Sequence, residues 1–173
     1  MRIEPATIDD CRAIAEVHVA SWQEAYAGIF SSEYLESLSV PKRERAWRAI
    51  LADGNAQVLV ARYGEHVVGF VSFSASRDPD AQPRHGEVSA IYVLPSFWST
   101  GVGLALWQEA KRNLQSQGFS QISLWVISNN ARAIRFYTLA GFHEEIGFAK
   151  QSGRGGTRFQ ETRYVYQMAA NSV

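Results

Sequence analysis

The sequence predicts an α/β fold, one domain across residues 1–173 with a central mixed, mostly antiparallel sheet flanked by helices. Three features point there. Apolar residues recur at helical spacing in the first third of the chain, the pattern turns extended from Gln57, and strand and helix then alternate between Val93 and Phe142. Alternation of that last kind brings two parallel strands together through a crossover helix, whereas short connections pair neighbouring strands antiparallel.

Arg2 to Pro5 reads as a short first strand. Thr7-Ile8-Asp9-Asp10 places an acid three residues after a threonine and signals a helix start in the manner of a capping box, although Glu or Gln is commoner there. Ile14, Val17, His18, Ser21 and Trp22 give that helix one inward face. Gly28 relaxes the chain, Ser31 or Ser32 caps a short helix carrying Tyr34, Leu35 and Leu38, and Pro41 opens another, with Trp47, Ile50 and Leu51 as its stripe and Asp53-Gly54-Asn55 as its stop. Gln57 to Tyr63 and His66 to Ser74 form a hairpin across Gly64-Glu65. The polar run Ser76 to His85 is short enough to be a loop rather than a linker. Glu87 to Val93 is a strand, and Gly101 to Gln117 a helix with Val102, Leu106, Ala110 and Leu114 inward and Gly118 as its left-handed stop. Gln121 to Ile127 is extended, a compact helix runs from Asn130 or Ala131 to Ala140, and Phe142 to Lys150 and Phe159 to Met168 are the last strands, joined by Ser152-Gly153-Arg154-Gly155-Gly156.

Composition narrows the function. At 173 residues and 46% apolar the chain can bury a core without disulfides or metals. Its 17 basic and 17 acidic side chains cancel, which argues against nucleic acid as a partner. Cys11 is the only cysteine, so an intramolecular disulfide and a multi-cysteine zinc site are both excluded, and no clustered ligands suggest a metal. No stretch approaches the roughly 18 apolar residues of a membrane span. The expectation is a cytoplasmic protein with no membrane partner.

The chemically informative stretch is Glu87 to Leu106, where a strand runs through a loop holding Gly101 and Gly103 directly into an amphipathic helix. Unpaired amides and the aligned dipole at a helix N-terminus favour an anion, and glycine lets a pyrophosphate approach the backbone. The spacing Gly101-x-Gly103 also suits an ordinary turn. A dinucleotide fold needs a longer glycine fingerprint and an acid about 20 positions on, and a Walker loop ends in Gly-Lys-Ser or Gly-Lys-Thr where this chain has Gly103-Leu104-Ala105.

Trp98-Ser99-Thr100-Gly101-Val102-Gly103 resembles the acyl-CoA pyrophosphate loop of the GCN5-related N-acetyltransferase (GNAT) family, whose usual pattern is Gln or Arg, two residues, Gly, one residue, Gly or Ala. Trp98 departs from it, and either covers the cofactor or packs at the strand end. The segment Leu124 to Phe142, with Asn130, Ala133, Tyr137 and the terminal Gly141-Phe142, resembles the family's second conserved region. The residue-level match is concentrated between Glu87 and Phe142, while the order of elements agrees over nearly the whole chain.

The resemblance implies a GNAT-like domain whose strands splay around the acyl-CoA site, with acetyl-CoA as cosubstrate and direct transfer to an amine in a ternary complex. It implies walls at Ala90 to Leu94 and Trp125 to Ser128, with Ile91, Tyr92 and Val93 beside the pantetheine arm and the backbone of Ile91 and Val93 bonding it. Ser99, Thr100, Gly101, Val102 and Gly103 would form the amide cradle, with Trp98 at its edge. Asn130 and Arg135 would touch the cofactor, although Asn130 is equally suited to cap a helix and Arg135 to stand in solvent.

Amine acetylation needs a neutral amine, a route for its proton and a donor for the departing thiolate. The resemblance makes Tyr137 the general acid, a phenol of reference pKa about 10 matching a thiolate of similar basicity. Glu87 lies where several family members place a catalytic glutamate, acting directly or through water, and is otherwise a strand-end acid. Even spacing puts it on the face of Ser89, Ile91 and Val93 unless a bulge intervenes. His18 and His85 are the alternative bases. Trp22, Tyr26 and Phe30 recur at i, i+4 and i+8 and form either a core stripe or the wall of an acceptor pocket, where Glu24 could attract an ammonium. The expected partner is a small-molecule primary amine, with protein N-terminal or lysine acetylation and non-catalytic acyl-CoA binding as the other classes, and a homodimer is compatible with each.

Overall fold

The computed structural model describes residues 1–169, so the last positions of the expected 1–173 unit lie outside the described residues. Along the chain follow β1 (Arg2–Pro5), α1 (Cys11–Ala25), α2 (Ser32–Glu36), α3 (Val40–Asp53), β2 (Gln57–Tyr63), β3 (His66–Ala75), β4 (His85–Val93), α4 (Val102–Ser116), β5 (Gln121–Ile127), α5 (Ala131–Leu139), β6 (His143–Arg154) and β7 (Thr157–Gln167), with single 3-10 turns at Ile8–Asp10 and Pro95–Phe97. The strands form one seven-stranded sheet in the order β1-β2-β3-β4-β5-β7-β6. Every pairing is antiparallel except β4 with β5, the mixed arrangement expected from the sequence.

Helices cover both faces. Cys11, Ile14, Ala15 and Val17 of α1 and Trp47 of α3 pack on Val58, Val60, Val67 and Phe70. Across the sheet, Val102, Leu106, Ala110 and Leu114 of α4 are fully buried against Val71, Phe73, Val88 and Ile122. Each such aliphatic side chain taken from water contributes about 1.5–3 kcal/mol. The first helix starts later than Thr7 because the Asp10 carboxylate accepts from the Thr7 amide at 2.8 Å and its hydroxyl at 3.1 Å and is ion-paired with Arg62, which holds a tight turn ahead of Cys11.

Two irregularities in the sheet shape everything that follows. β4 and β5 pair only through His85↔Gln121, Gly86↔Ile122 and Glu87↔Ser123, and from Val88 and Leu124 onward the two strands part. The β3–β4 register moves from Phe73↔Val88 to Ser72↔Ala90, so Ser89 is the extra residue of a bulge. The even alternation from Glu87 to Val93 is therefore broken. Val88, Ile91 and Val93 face α4, whereas Ala90 and Tyr92 face α1 and α3, and Glu87 lies on that second side with Ser74.

The long loop before β4 is tied down by a buried cation. Arg163 on β7 is 2% exposed and meets Asp78 at 3.2 Å, Asp80 at 2.7 Å and Glu145 of β6 at 2.6 Å. Asp78 also accepts the Trp125 indole N–H at 3.0 Å, which fixes that ring beside the gap between β4 and β5. At the far end of the molecule β6 runs on through Arg154 and only Gly155-Gly156 turn. A Cβ on Gly155 would collide with the ring of Tyr34, so the glycine lets the β6–β7 tip rest on α2.

Candidate active site

A cavity of about 420 Å³ opens where β4 and β5 diverge. Ile91, Tyr92 and Val93 form its β4 wall, with Trp125 and Tyr137 also lining it. Trp98, Ser99, Gly101 and Gly103 line it from the loop and the start of α4, and Asn130 and Arg135 border it from α5 and its cap. Thr100 and Val102 are the exceptions among the expected donor residues. The Thr100 hydroxyl turns back to the Phe97 carbonyl at 2.7 Å, and the Val102 side chain is fully buried in the core, so only their backbones face the loop's chemistry.

The backbone supplies two kinds of unmet donor. The Leu94 amide bonds the Val68 carbonyl at 2.8 Å and the Tyr92 carbonyl faces Gly69, both toward β3. Peptide directions alternate along a strand, so the groups of Ile91 and Val93 point the other way, into the gap. The Val93 carbonyl is occupied there by the Ser21 hydroxyl at 2.8 Å and the Trp98 indole at 2.7 Å. Its amide and both groups of Ile91 have no strand partner across the gap, since the β4–β5 pairing ends at Glu87. At the cradle, Gly101 has φ +90 and no side chain to cap α4, and the first return bond is Ala105 to Gly101 at 3.0 Å. The amides of Val102, Gly103 and Leu104 thus end the helix without an internal partner, a setting that fits a pyrophosphate.

Trp98 packs at the strand end through Val93 and also borders the cavity. Sequence reasoning missed Arg132, which also lines the cavity and lies over the Trp98 ring at 3.1 Å from its centroid. Asn130 caps α5, its side-chain oxygen accepting from the Ala133 amide at 3.1 Å, and borders the cavity as well.

A second cavity of about 400 Å³ lies on the α1 and α3 side and shares Tyr26, Ser89, Ala90, Tyr92 and Trp125 with the first. Trp22 and Tyr26 belong to a buried aromatic cluster and also line this cavity, whereas Phe30 does not line it. Phe30 is 4% exposed and stacks behind Trp22 at 5.9 Å, supporting the wall without belonging to it. At the junction the phenols of Tyr26, Tyr92 and Tyr137 all have raised pKa values, chiefly through burial, and for Tyr137 the neighbouring Tyr92 adds to the shift. All three hold their protons at neutral pH.

The candidate bases sit differently. Glu87 lines neither cavity; it is ion-paired with Arg77 and accepts from the Arg77 amide at 3.3 Å and the Ser74 hydroxyl at 3.4 Å, and those two partners line the second cavity in front of it. His18 lines that cavity, stacks on Tyr92 at 5.0 Å, and accepts the Trp47 indole N–H on Nδ1 at 3.1 Å. Burial, with Arg43 and Arg154 nearby, holds its pKa down to about 3, so the imidazole is neutral and a weak base. His85 is buried and lines neither cavity. Among the described residues no group of His, Cys, Asp and Glu is placed to hold a metal, and no helix is long and apolar enough to cross a membrane.

Divergent parallel strands with an uncapped helix start at the end of the gap describe an acyltransferase fold. Residues 18–142 match the family model described as the Acetyltransferase (GNAT) family, and the chain belongs to that family, among the N-acetyltransferases. It is 35% identical over 136 residues to "Uncharacterized N-acetyltransferase YuaI" of Bacillus subtilis, covering 78% of this chain and 76% of that one. It is 27% identical over 150 residues to the spermidine N(1)-acetyltransferase of Thermoplasma acidophilum, covering 84% and 89%. The same fold recurs in the PaiA N-acetyltransferase of Thermoplasma acidophilum in complex with coenzyme A (TM-score 0.70, 24% identity, 95% and 100% covered). It recurs also in YncA of Salmonella typhimurium with acetyl-CoA (TM-score 0.73, 23% identity, 99% and 96% covered).

Proposed function

We propose that this protein is a single-domain, cytoplasmic enzyme that transfers the acetyl group of acetyl-CoA directly to the primary amine of a small molecule while both are bound. The observation that carries the reading is the meeting of two cavities at Tyr26 and Tyr92, one along the open edge of β4 and one walled by aromatic rings. The first suits an acyl-CoA donor. In this reading Ile91 and Val93 bond the pantetheine arm, Ser99 through Gly103 present amides to the pyrophosphate, and Trp98, Arg132 and Arg135 border it. The second suits a metabolite in this reading, lined by Arg154 and Phe159 of the β6–β7 hairpin and by the rings of Trp22, Tyr26 and Tyr92. A relative named for spermidine supports an amine acceptor.

Tyr137 then serves as general acid. Burial keeps its hydroxyl protonated but makes it a weaker acid than a free phenol, so it donates to a CoA thiolate whose basicity rises in the same water-poor cavity, the proton passing to sulfur as the carbon–sulfur bond breaks. Glu87 takes the proton of the attacking amine through the Ser74 hydroxyl or a water, because Arg77 and Ser74 stand between its carboxylate and the acceptor cavity. Free-thiol release from acetyl-CoA, assayed with a panel of small amines and of peptides, tests the assignment. Turnover of peptides with none of small amines would replace it with protein acetylation, and acetyl-CoA binding without turnover of either would leave a binding protein.

A further inference from the structure

The second cavity is lined by two arginines that have no ion-pair partner among the described residues. Arg43 of α3, Arg77 of the loop before β4 and Arg154 at the end of β6 all line it. Arg77 is answered by Glu87. Among the described residues Arg43 and Arg154 form no ion pair, and both guanidinium groups lie over the Trp22 ring, at 5.6 Å and 4.9 Å from its centroid. The lining also holds two acids. Glu161 is met by Lys150 at 3.8 Å and by the Ser152 hydroxyl at 2.7 Å, whereas Asp53 is exposed and takes a hydrogen bond only from the uncharged Asn55 amide, so its charge stays outside any ion pair among the described residues.

Two like charges brought to one aromatic ring repel each other, and the arrangement is relieved by an anion between them. Their field reaches into the cavity, since both arginines help to keep His18 neutral. Trp22 also stands next to the junction: its ring is 4.7 Å from Tyr26 and 6.5 Å from Tyr92. An anion held above Trp22 is therefore one ring away from the place where the amine must meet the donor.

We propose that the acceptor carries an anionic group, a carboxylate or a phosphate, a few bonds from its amine, and that Arg43 and Arg154 bind this group over Trp22. The proposal rests on reading the second cavity as the acceptor site. It sets the protein apart from its polyamine-named relative: a second ammonium over Trp22 would face two guanidinium groups, and the one carboxylate of the lining outside an ion pair is the exposed Asp53. Charge-assisted, fork-shaped hydrogen bonds from arginine favour carboxylate and phosphate alike, so the two sources must be separated by experiment.

The test is calorimetric titration of the CoA-saturated protein with matched probes: L-phenylalanine against phenethylamine, O-phosphoethanolamine against ethanolamine, and spermidine. CoA in place of acetyl-CoA removes turnover from the measurement. The expected result is that the anionic member of at least one pair binds about tenfold or more tighter than its partner, with spermidine weakest. The pair showing the preference names the source. In R43Q and R154Q the preference should collapse while CoA affinity and melting temperature hold. Equal binding within both pairs, no binding of either anionic probe, or a preference that survives both substitutions overturns the proposal. Thiol release with the same amines and acetyl-CoA separates the two claims. Arginine-dependent binding without acetylation sinks the enzymatic reading and leaves the anion site standing; acetylation of neutral amines with no anionic preference does the reverse.

Discussion

The indole N–H of Trp98 donates to the carbonyl of Val93 across 2.7 Å. The residue that replaces the family's Gln or Arg thus caps the last carbonyl of the open strand edge and leaves its ring as a platform for Arg132. W98F keeps the platform and removes the bond. A net hydrogen bond contributes about 0.5–1.5 kcal/mol to the fold, so the melting temperature should fall by a few degrees, and acetyl-CoA affinity by calorimetry should fall with it where the bond positions the donor edge. Unaltered affinity would show that this bond does not position the donor edge.

Gly101 is a conformational requirement rather than a steric one, since a Cβ there meets nothing within 4 Å but φ is +90. A β-branched residue is poorly suited to that region, at a cost of about 1–2 kcal/mol or more. G101V should therefore bind acetyl-CoA about tenfold more weakly. G118A has the same backbone problem at φ +86 and lies away from both cavities. It should lower the melting temperature and leave donor affinity intact, which makes it the control.

Tyr137 packs its ring against Phe136 and Phe142 at 5.2 Å and 5.8 Å, contacts that phenylalanine preserves. Y137F should lower turnover about 100-fold to 10,000-fold if thiolate departure limits the rate, with donor affinity nearly unchanged. Normal turnover in a destabilised but folded variant would make the hydroxyl a packing feature only.

Glu87 gives a cleaner distinction than its buried position suggests. E87Q leaves Arg77 unpaired, but that side chain is 75% exposed and loses little. Stability should hardly move, while turnover at saturating amine should drop across neutral pH. Wild-type turnover with a strongly basic amine would remove Glu87 from the proton path.

His18 ties stability to acidity. Its folded pKa of about 3 lies below the ordinary value near 6.5, so the unfolded chain binds the proton first as pH falls. Stability from this site is complete above about pH 6.5 and is lost on acidification, at up to about 1.4 kcal/mol per pH unit. Asparagine can still accept from the Trp47 indole, so H18N should show a flatter decline in denaturant-unfolding free energy over that interval. An identical slope in both proteins would assign the acid sensitivity elsewhere.

The α4 stripe, the β2–β3 hairpin and the glycine loop that leads into α4 were legible in the sequence because each depends on spacing within one element or one turn. What escaped depends on register or on distant partners. Nothing in Glu87 to Val93 marks Ser89 as a bulge, yet that residue decides which face Glu87 takes. The i+8 spacing of Phe30 presumed a helix that in fact ends at Ala25, so Phe30 arrives from a turn and falls behind Trp22. Arg163 finds its acids at positions 78, 80 and 145, and Arg43 and Arg154, far apart in sequence, each lie over the Trp22 ring; local pattern carries no trace of either.

The three residue pairs that join β4 to β5 make the sheet a pair of leaves on a short spine. Beyond Glu87 and Ser123 the leaves have only side chains between them, and shear across that line meets less backbone resistance than across any other seam of long antiparallel pairing. A donor arm laid along Ile91 and Val93 would act there as a splint. Occupancy at about 100 times the dissociation constant would contribute about 2.7 kcal/mol to the folded state, a gain that unfolding with and without the donor would read directly.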